Sequence, residues 1–140
     1  MSKTNSLENS ILLLLFNATP IADLAADDQT SPATTLTVSL HTADPGEGGS
    51  MTTNEATYTS YARVTVNRNS GGWTVTGNSV SPAADITFPE CTGGTNTITH
   101  FGIGTGVSNN LMYKGTVTPN IAVSTGVVAI LDTTSTITED

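Results

Sequence analysis

The chain has 140 residues, a formal net charge of −8 and only 11% charged residues, against roughly 25% in an average soluble protein. Its length suits one domain that buries about two thirds of the surface its unfolded form exposes. Lys3, Arg63, Arg68 and Lys114 are the only cations, too few to neutralise a row of phosphates, so nucleic acid is not an expected partner.

Roughly one residue in five is Thr, a β-branched type suited to pleated, half-solvated sheets. The single cysteine, Cys91, rules out an intramolecular disulfide and any multi-cysteine metal site. The run Ile11 to Phe16 is too short to span a bilayer, which takes about 20 apolar residues, so no membrane association is expected. As the core of a secretory signal the same run lies at the short end of the usual range, with Glu8 in its charged flank.

In chain order, Asn5 and Glu8 have the three-residue spacing of a capping box. A helix from here places Leu7, Ile11, Leu14, Leu15 and Ala18 on one stripe and ends near 17–19, because Pro20 disfavours helical geometry in the residue before it. This stripe is more apolar than a solvated helix needs, so Leu7, Ile11, Leu14 and Leu15 are the candidate interface, facing either the body of the protein or a partner. Residues 21–32 read as a connecting arm.

From Thr34 the period changes to two, with Leu36, Val38 and Leu40 alternating with Thr35, Thr37 and Ser39, as a strand with one buried face requires. Residues 44–50 are turn formers and predict a mobile surface loop. Strands follow over 61–68 and 73–76, and the intervening Asn69-Ser70-Gly71-Gly72 predicts that they form a hairpin. Further strands are expected over 84–88, 95–103, 111–117, 126–131 and 135–137, with a turn over 89–94. About eight short strands at such spacing predict an all-β fold, an antiparallel two-sheet, jelly-roll-like sandwich with one short N-terminal helix. In domain terms, 1–33 is helix and arm and 34–140 is the sandwich, one domain overall. The expected inward residues are Leu36, Val38, Leu40, Val64, Val66, Trp73, Val75, Ile86 and Phe88.

No residue pattern carries chemistry. His41 and His100 with Cys91 barely reach the ligand count of a metal site, and neither a metal nor another cofactor is expected. His100 reads as a half-buried strand residue with one ring nitrogen bonded, and His41 as an exposed strand end. Cys91 reads as a small buried hydrophobe, since neighbouring Glu90 would raise a thiol pKa rather than activate it. No serine lies in a G-x-S-x-G elbow. Gly102, Gly104 and Gly106 have no helix after them, so they imply a bend or bulge and not a phosphate cradle. Carboxylate pairs drawn from Asp44, Glu47, Glu55, Asp85 and Glu90 lack a groove of sugar-stacking aromatics. No enzymatic activity is expected.

Several strings nevertheless resemble a known family: residues 37–46 (TVSLHTADPG), 61–64 (YARV), and 86–89 (ITFP) leading to 99–103 (THFGI). In that order and spacing they are similar to small tailed-phage virion proteins, the capsid cement or decoration proteins, often labelled tail-fibre-like. The resemblance also takes in the helical start, 7–16, and the end, 135–140. It implies a jelly-roll-like subunit on the outer surface of the capsid, assembled in the host cytoplasm. Such a subunit pairs as a homodimer and bridges major capsid proteins to stabilise the shell. The alternative is a tail-fibre or receptor-binding module contacting the host. No catalytic residues come with the resemblance.

Overall fold

The computed structural model describes residues 3–22, 24–26 and 32–139. The expected connecting arm lies partly outside these. One helix, α1 (Asn5–Asn17), precedes nine strands: β1 (Thr35–His41), β2 (Val64–Asn67), β3 (Trp73–Thr76), β4 (Ser79–Pro82), β5 (Ile86–Thr87), β6 (Asn96–Gly104), β7 (Leu111–Val123), β8 (Ile130–Leu131) and β9 (Ile137–Thr138). The class is the one the alternation predicts: mainly β, antiparallel and sandwich-like, with one short helix. The strands are distributed over three sheets, ordered β2-β1-β6-β7, β3-β4-β9 and β5-β8.

The chain folds into two compact units of interleaved segments. Unit 1 comprises Met1–Thr35, Asn67–Asp85 and Asp132–Asp140; unit 2 comprises Leu36–Val66 and Ile86–Leu131.

In unit 1, α1 starts one residue earlier than the Asn5–Glu8 box predicts. Thr4 is the N-cap, its hydroxyl accepting from the Leu7 amide at 3.4 Å. Thr4 is extended (φ −90°, ψ 150°), the geometry that lets a short hydroxyl side chain reach back to the first turn. The helix ends where Pro20 requires: Ala18 turns left-handed (φ 53°), and the Ala18 and Thr19 amides both reach the Leu13 carbonyl. The buried stripe is not the expected one. Glu8, Leu12 and Phe16 are buried, whereas Leu7 is 38% exposed and Ile11, Leu14 and Leu15 are half-buried. Periodicity shows that a helix has an apolar side; what lies opposite determines which side is covered. Opposite α1 is Trp73, whose ring meets Phe16 edge-on at 5.0 Å, an arrangement worth about 0.5–1.5 kcal/mol beyond area burial.

The expected hairpin of β2 with β3 does not form. Asn69 makes a tight turn, its side chain accepting from Gly71 and its carbonyl from Gly72 and Trp73. The chain that leaves this turn enters a different sheet, where β3 pairs with β4 in the register Thr76↔Ser79. The connecting pair, Gly77-Asn78, has Gly77 at φ 61°, which suits a two-residue hairpin because the turn must match the right-handed twist of its strands. β9 completes the sheet through Ser79↔Thr138 and Val80↔Ile137.

In unit 2, β1 pairs with β6 from Thr37↔Gly104 to His41↔His100. This register joins two of the strings singled out in the sequence, 37–46 and 99–103, as facing strands. β6 also pairs with β7, with breaks in register at Ile98/His100 and Ile103/Gly104; the second is the irregularity that the glycines imply. Leu36, Val38 and Leu40 are buried as expected, and so are Trp73, Ile86 and Phe88. Val64, Val66 and Val75 are half-buried. The opposite face of β1 is buried too, since Thr37, Ser39 and His41 are all under one-tenth exposed. The loop over 44–50 is anchored: Pro45 is buried, and Asp44 accepts from the Gly46 amide through its side chain and from the Asn54 amide group through its carbonyl.

Candidate interaction surface

The most concentrated polar chemistry lies in unit 2, beneath the second face of β1. His41 is fully buried, not the exposed strand end expected of it. Its Nδ1 lies 2.8 Å from the Thr53 carbonyl and its Nε2 2.8 Å from Ser39 Oγ. A carbonyl only accepts, so Nδ1 carries the proton and the Ser39 hydroxyl donates to Nε2. Burial lowers the pKa of His41 below its ordinary value; the bond to Thr53 and the Glu55 charge oppose the shift, and Arg63 and His100 reinforce it.

A serine bonded to a histidine resembles half of a hydrolytic relay, but Ser39 and His41 are each 0% exposed. No carbonyl substrate reaches the hydroxyl, and the third partner is a backbone carbonyl rather than a carboxylate. The pair closes the hydrogen bonding of a covered strand face. Gly102 makes room for it: a Cβ there would lie 2.8 Å from His41 Nε2 and 2.9 Å from Ser39 Oγ.

Beside this pair, Arg63 grips Glu55 with two parallel bonds of 2.6 and 2.8 Å, and Tyr61 donates to the same carboxylate at 3.0 Å. Tyr61 Oη also accepts from the Leu40 amide, so the Tyr61-Ala62-Arg63 stretch clasps β1 and the 52–56 segment together. Desolvation drives the Tyr61 phenol well above its ordinary value. The bond to Glu55 raises the Arg63 pKa, keeping the guanidinium charged. These groups satisfy one another, which suits a framework. His100 is half-buried with Nδ1 2.8 Å from Thr99 Oγ1, as expected. Cys91 is buried and donates to the Gly93 carbonyl. Among the described residues no group of three or more His, Cys, Asp and Glu is placed to hold a metal, and no described helix is long and apolar enough to cross a membrane.

The described surface open to a partner includes apolar and hydroxylic stretches beside exposed carboxylates such as Glu47, Asp85, Glu90 and Asp132. On unit 1 the half-covered stripe of Leu7, Ile11, Leu14 and Leu15 carries no charge. Unit 1 also holds a long-range device that sequence reading missed: Arg68 donates to the Leu14 and Leu15 carbonyls at 2.6 and 2.7 Å and to the Ala33 carbonyl at 3.2 Å. It thereby satisfies the last turn of α1 and opposes the negative end of the helix dipole. Its separation of 53 residues from Leu15 leaves no local signal. On unit 2, Val107, Val128 and Ile130 are the exposed large apolar residues described, and a shallow groove of about 540 Å³ is lined by Thr42, Thr95, Asn96, Thr97, Ala122, Val123 and Ser124.

A β-rich framework in which the buried polar cluster of unit 2 is internally paired and apolar residues lie partly at the surface has the features of a structural subunit. Residues 2–138 match the family model described as "Podophage GP4 fiber I protein gp80", and the chain belongs to that family of phage structural, fibre-related proteins. No curated protein matches the sequence significantly.

Proposed function

We propose that the chain is a non-enzymatic cement subunit, a homodimer on the outer capsid surface that bridges major capsid proteins. The observation that carries this reading is the uncharged stripe of Leu7, Ile11, Leu14 and Leu15, left half-covered while Glu8, Leu12 and Phe16 fill the inner side of the helix. Depletion of charge together with exposed apolar area is the composition of a surface covered in an assembly. A two-fold subunit presents the same patch twice, and weak contacts repeated over many copies add through multivalency.

The family description supports a second reading, a fibre module at the tail that contacts the host. Imaging of intact particles carrying a labelled copy separates the two: label distributed over the shell means cement, and label clustered at the tail means fibre. Particles stripped of the protein are expected to keep their shell geometry, leak DNA under milder heat or osmotic stress, and adsorb normally. Lost adsorption with unchanged shell stability overturns the cement reading.

A further inference from the structure

Strand β7 leaves one side of its sheet open. It is the last strand in the order β2-β1-β6-β7, and among the described residues only β6 pairs with it. At 13 residues it is about twice the usual strand length, whereas the strand at the opposite edge, β2, has four. A sheet edge presents a row of unpaired backbone donors and acceptors, a template for another strand. The pairing with β6 shows which part of this edge is regular. Between His100↔Thr116 and Ile98↔Ile121, β6 passes one residue, Thr99, while β7 passes four: Val117, Thr118, Pro119 and Asn120. Thr118, Pro119 and Asn120 are exposed there, and a proline has no N–H to give. A bulge that carries a proline blocks further pairing, which confines an incoming strand to residues 111–116.

Charge points to the occupant. Positions 91–131, which hold β6, β7 and β8, contain no Asp or Glu. The single Lys or Arg among them, Lys114, is engaged by Asp44 at 2.9 Å. Two copies of a chain at −8 repel wherever their acids face each other, and β7 brings none to the contact. Antiparallel pairing of a strand with its own copy is also isologous, so it closes as a two-fold dimer and goes no further.

We propose that β7 pairs antiparallel with β7 of a second copy over residues 111–116, joining the two four-stranded sheets into one across the dimer axis. This rests on the homodimer of the proposed function and adds the seam by which it forms. In such a seam one residue lies opposite its own copy. With the axis at Tyr113 that residue is aromatic, a favourable cross-strand pair, and Lys114 lies opposite Met112 of the partner subunit; with the axis at Lys114, like charges would be opposed. Tyr113 therefore marks the axis.

The test combines sedimentation of the purified full chain with cysteine cross-linking. The wild type should sediment as a dimer, and its only cysteine, Cys91, is 0% exposed and should give no covalent dimer on oxidation. Tyr113→Cys should oxidise to a covalent dimer, whereas Thr116→Cys, about 20 Å from its own copy at ~3.3 Å per residue, lies beyond disulfide reach. Met112→Lys opposes Lys114 twice by symmetry and should weaken the dimer roughly tenfold at low salt; Met112→Glu should not, and both should keep the far-UV circular dichroism of the wild type. A dimer that Tyr113→Cys does not cross-link, or that Met112→Lys and Met112→Glu affect alike, overturns the seam and leaves the homodimer of the proposed function standing. A wild type that sediments as a monomer overturns the seam and the homodimer together.

Discussion

Replacing Arg68 by Ala removes the planar donor that holds the end of α1. Its bonds to the Leu14 and Leu15 carbonyls are short, 2.6 and 2.7 Å, and a third reaches Ala33 at 3.2 Å. Hydrogen bonds from a charged group are worth about 1.5–3 kcal/mol each in net terms. They share one side chain, and its partial exposure lets water replace part of what is lost. The favourable charge at a helix C-terminus, about 0.3–2 kcal/mol, overlaps the same contacts. The expected loss is therefore about 3 kcal/mol, which for a chain of this size lowers the melting temperature on the order of 10 °C. Trp73 is the only tryptophan and is 1% exposed against Phe16 of the helix, so its fluorescence during urea unfolding reports unit 1 directly. Arg68→Lys keeps the charge but offers one ammonium where a fork of donors stood, and should fall between wild type and Ala. Lys114→Ala, which breaks the ion pair with exposed Asp44, is the control and should leave the Trp73 transition in place. A loss below about 0.5 kcal/mol for Arg68→Ala, the range of an ordinary surface change, refutes the reasoning.

Two further predictions concern the covered face of β1. His41 is held neutral with its pKa lowered, so between its unfolded value of about 6.5 and its folded value the unfolded chain binds more protons than the native one. Stability should be complete above about pH 6.5 and decline as the pH drops below it, before carboxylates such as Asp44 and Asp132, whose pKa values are lowered from 3.8, begin to titrate. Urea midpoints between pH 7.5 and 5 measure this slope, and His41→Asn should abolish it; a flat wild-type profile counts against a buried neutral imidazole. Gly102→Ala places a methyl against His41 Nε2, Ser39 Oγ and the end of Leu111 and should cost about 1–3 kcal/mol as overpacking; an unchanged midpoint in chemical denaturation shows that the face yields.

The family match extends over 137 residues, positions 2–138, and thus takes in both units. Its fibre description and the resemblance to cement proteins agree on a phage structural subunit, and they differ over where on the particle it acts. A framework of this kind serves either position, because adhesion depends on which side chains are left at the surface and not on the sheets that hold them.

Local pattern was enough to read the class, the helix and most strands from the sequence alone. Alternation in 36–40 depends only on side chains pointing to opposite sides of a strand, and Pro20 ends α1 whatever surrounds it. Strand β4 and the Gly77-Asn78 hairpin that leads into it were not among the expected elements, because the glycine-containing turn at 69–72 drew the hairpin there instead. Which strands pair depends on contacts between distant residues, and only the tertiary structure decided it: the turn at 69–72 passes the chain from one sheet to another, and β1 finds β6 about sixty residues away. The inner side of α1 was likewise decided by Trp73 opposite Phe16, and the burial of His41 by a loop that covers β1 from above. Arg68 at the end of α1 leaves no trace in the sequence, because a guanidinium that satisfies carbonyls 53 and 54 positions away looks, residue by residue, like any other charge at the end of a strand.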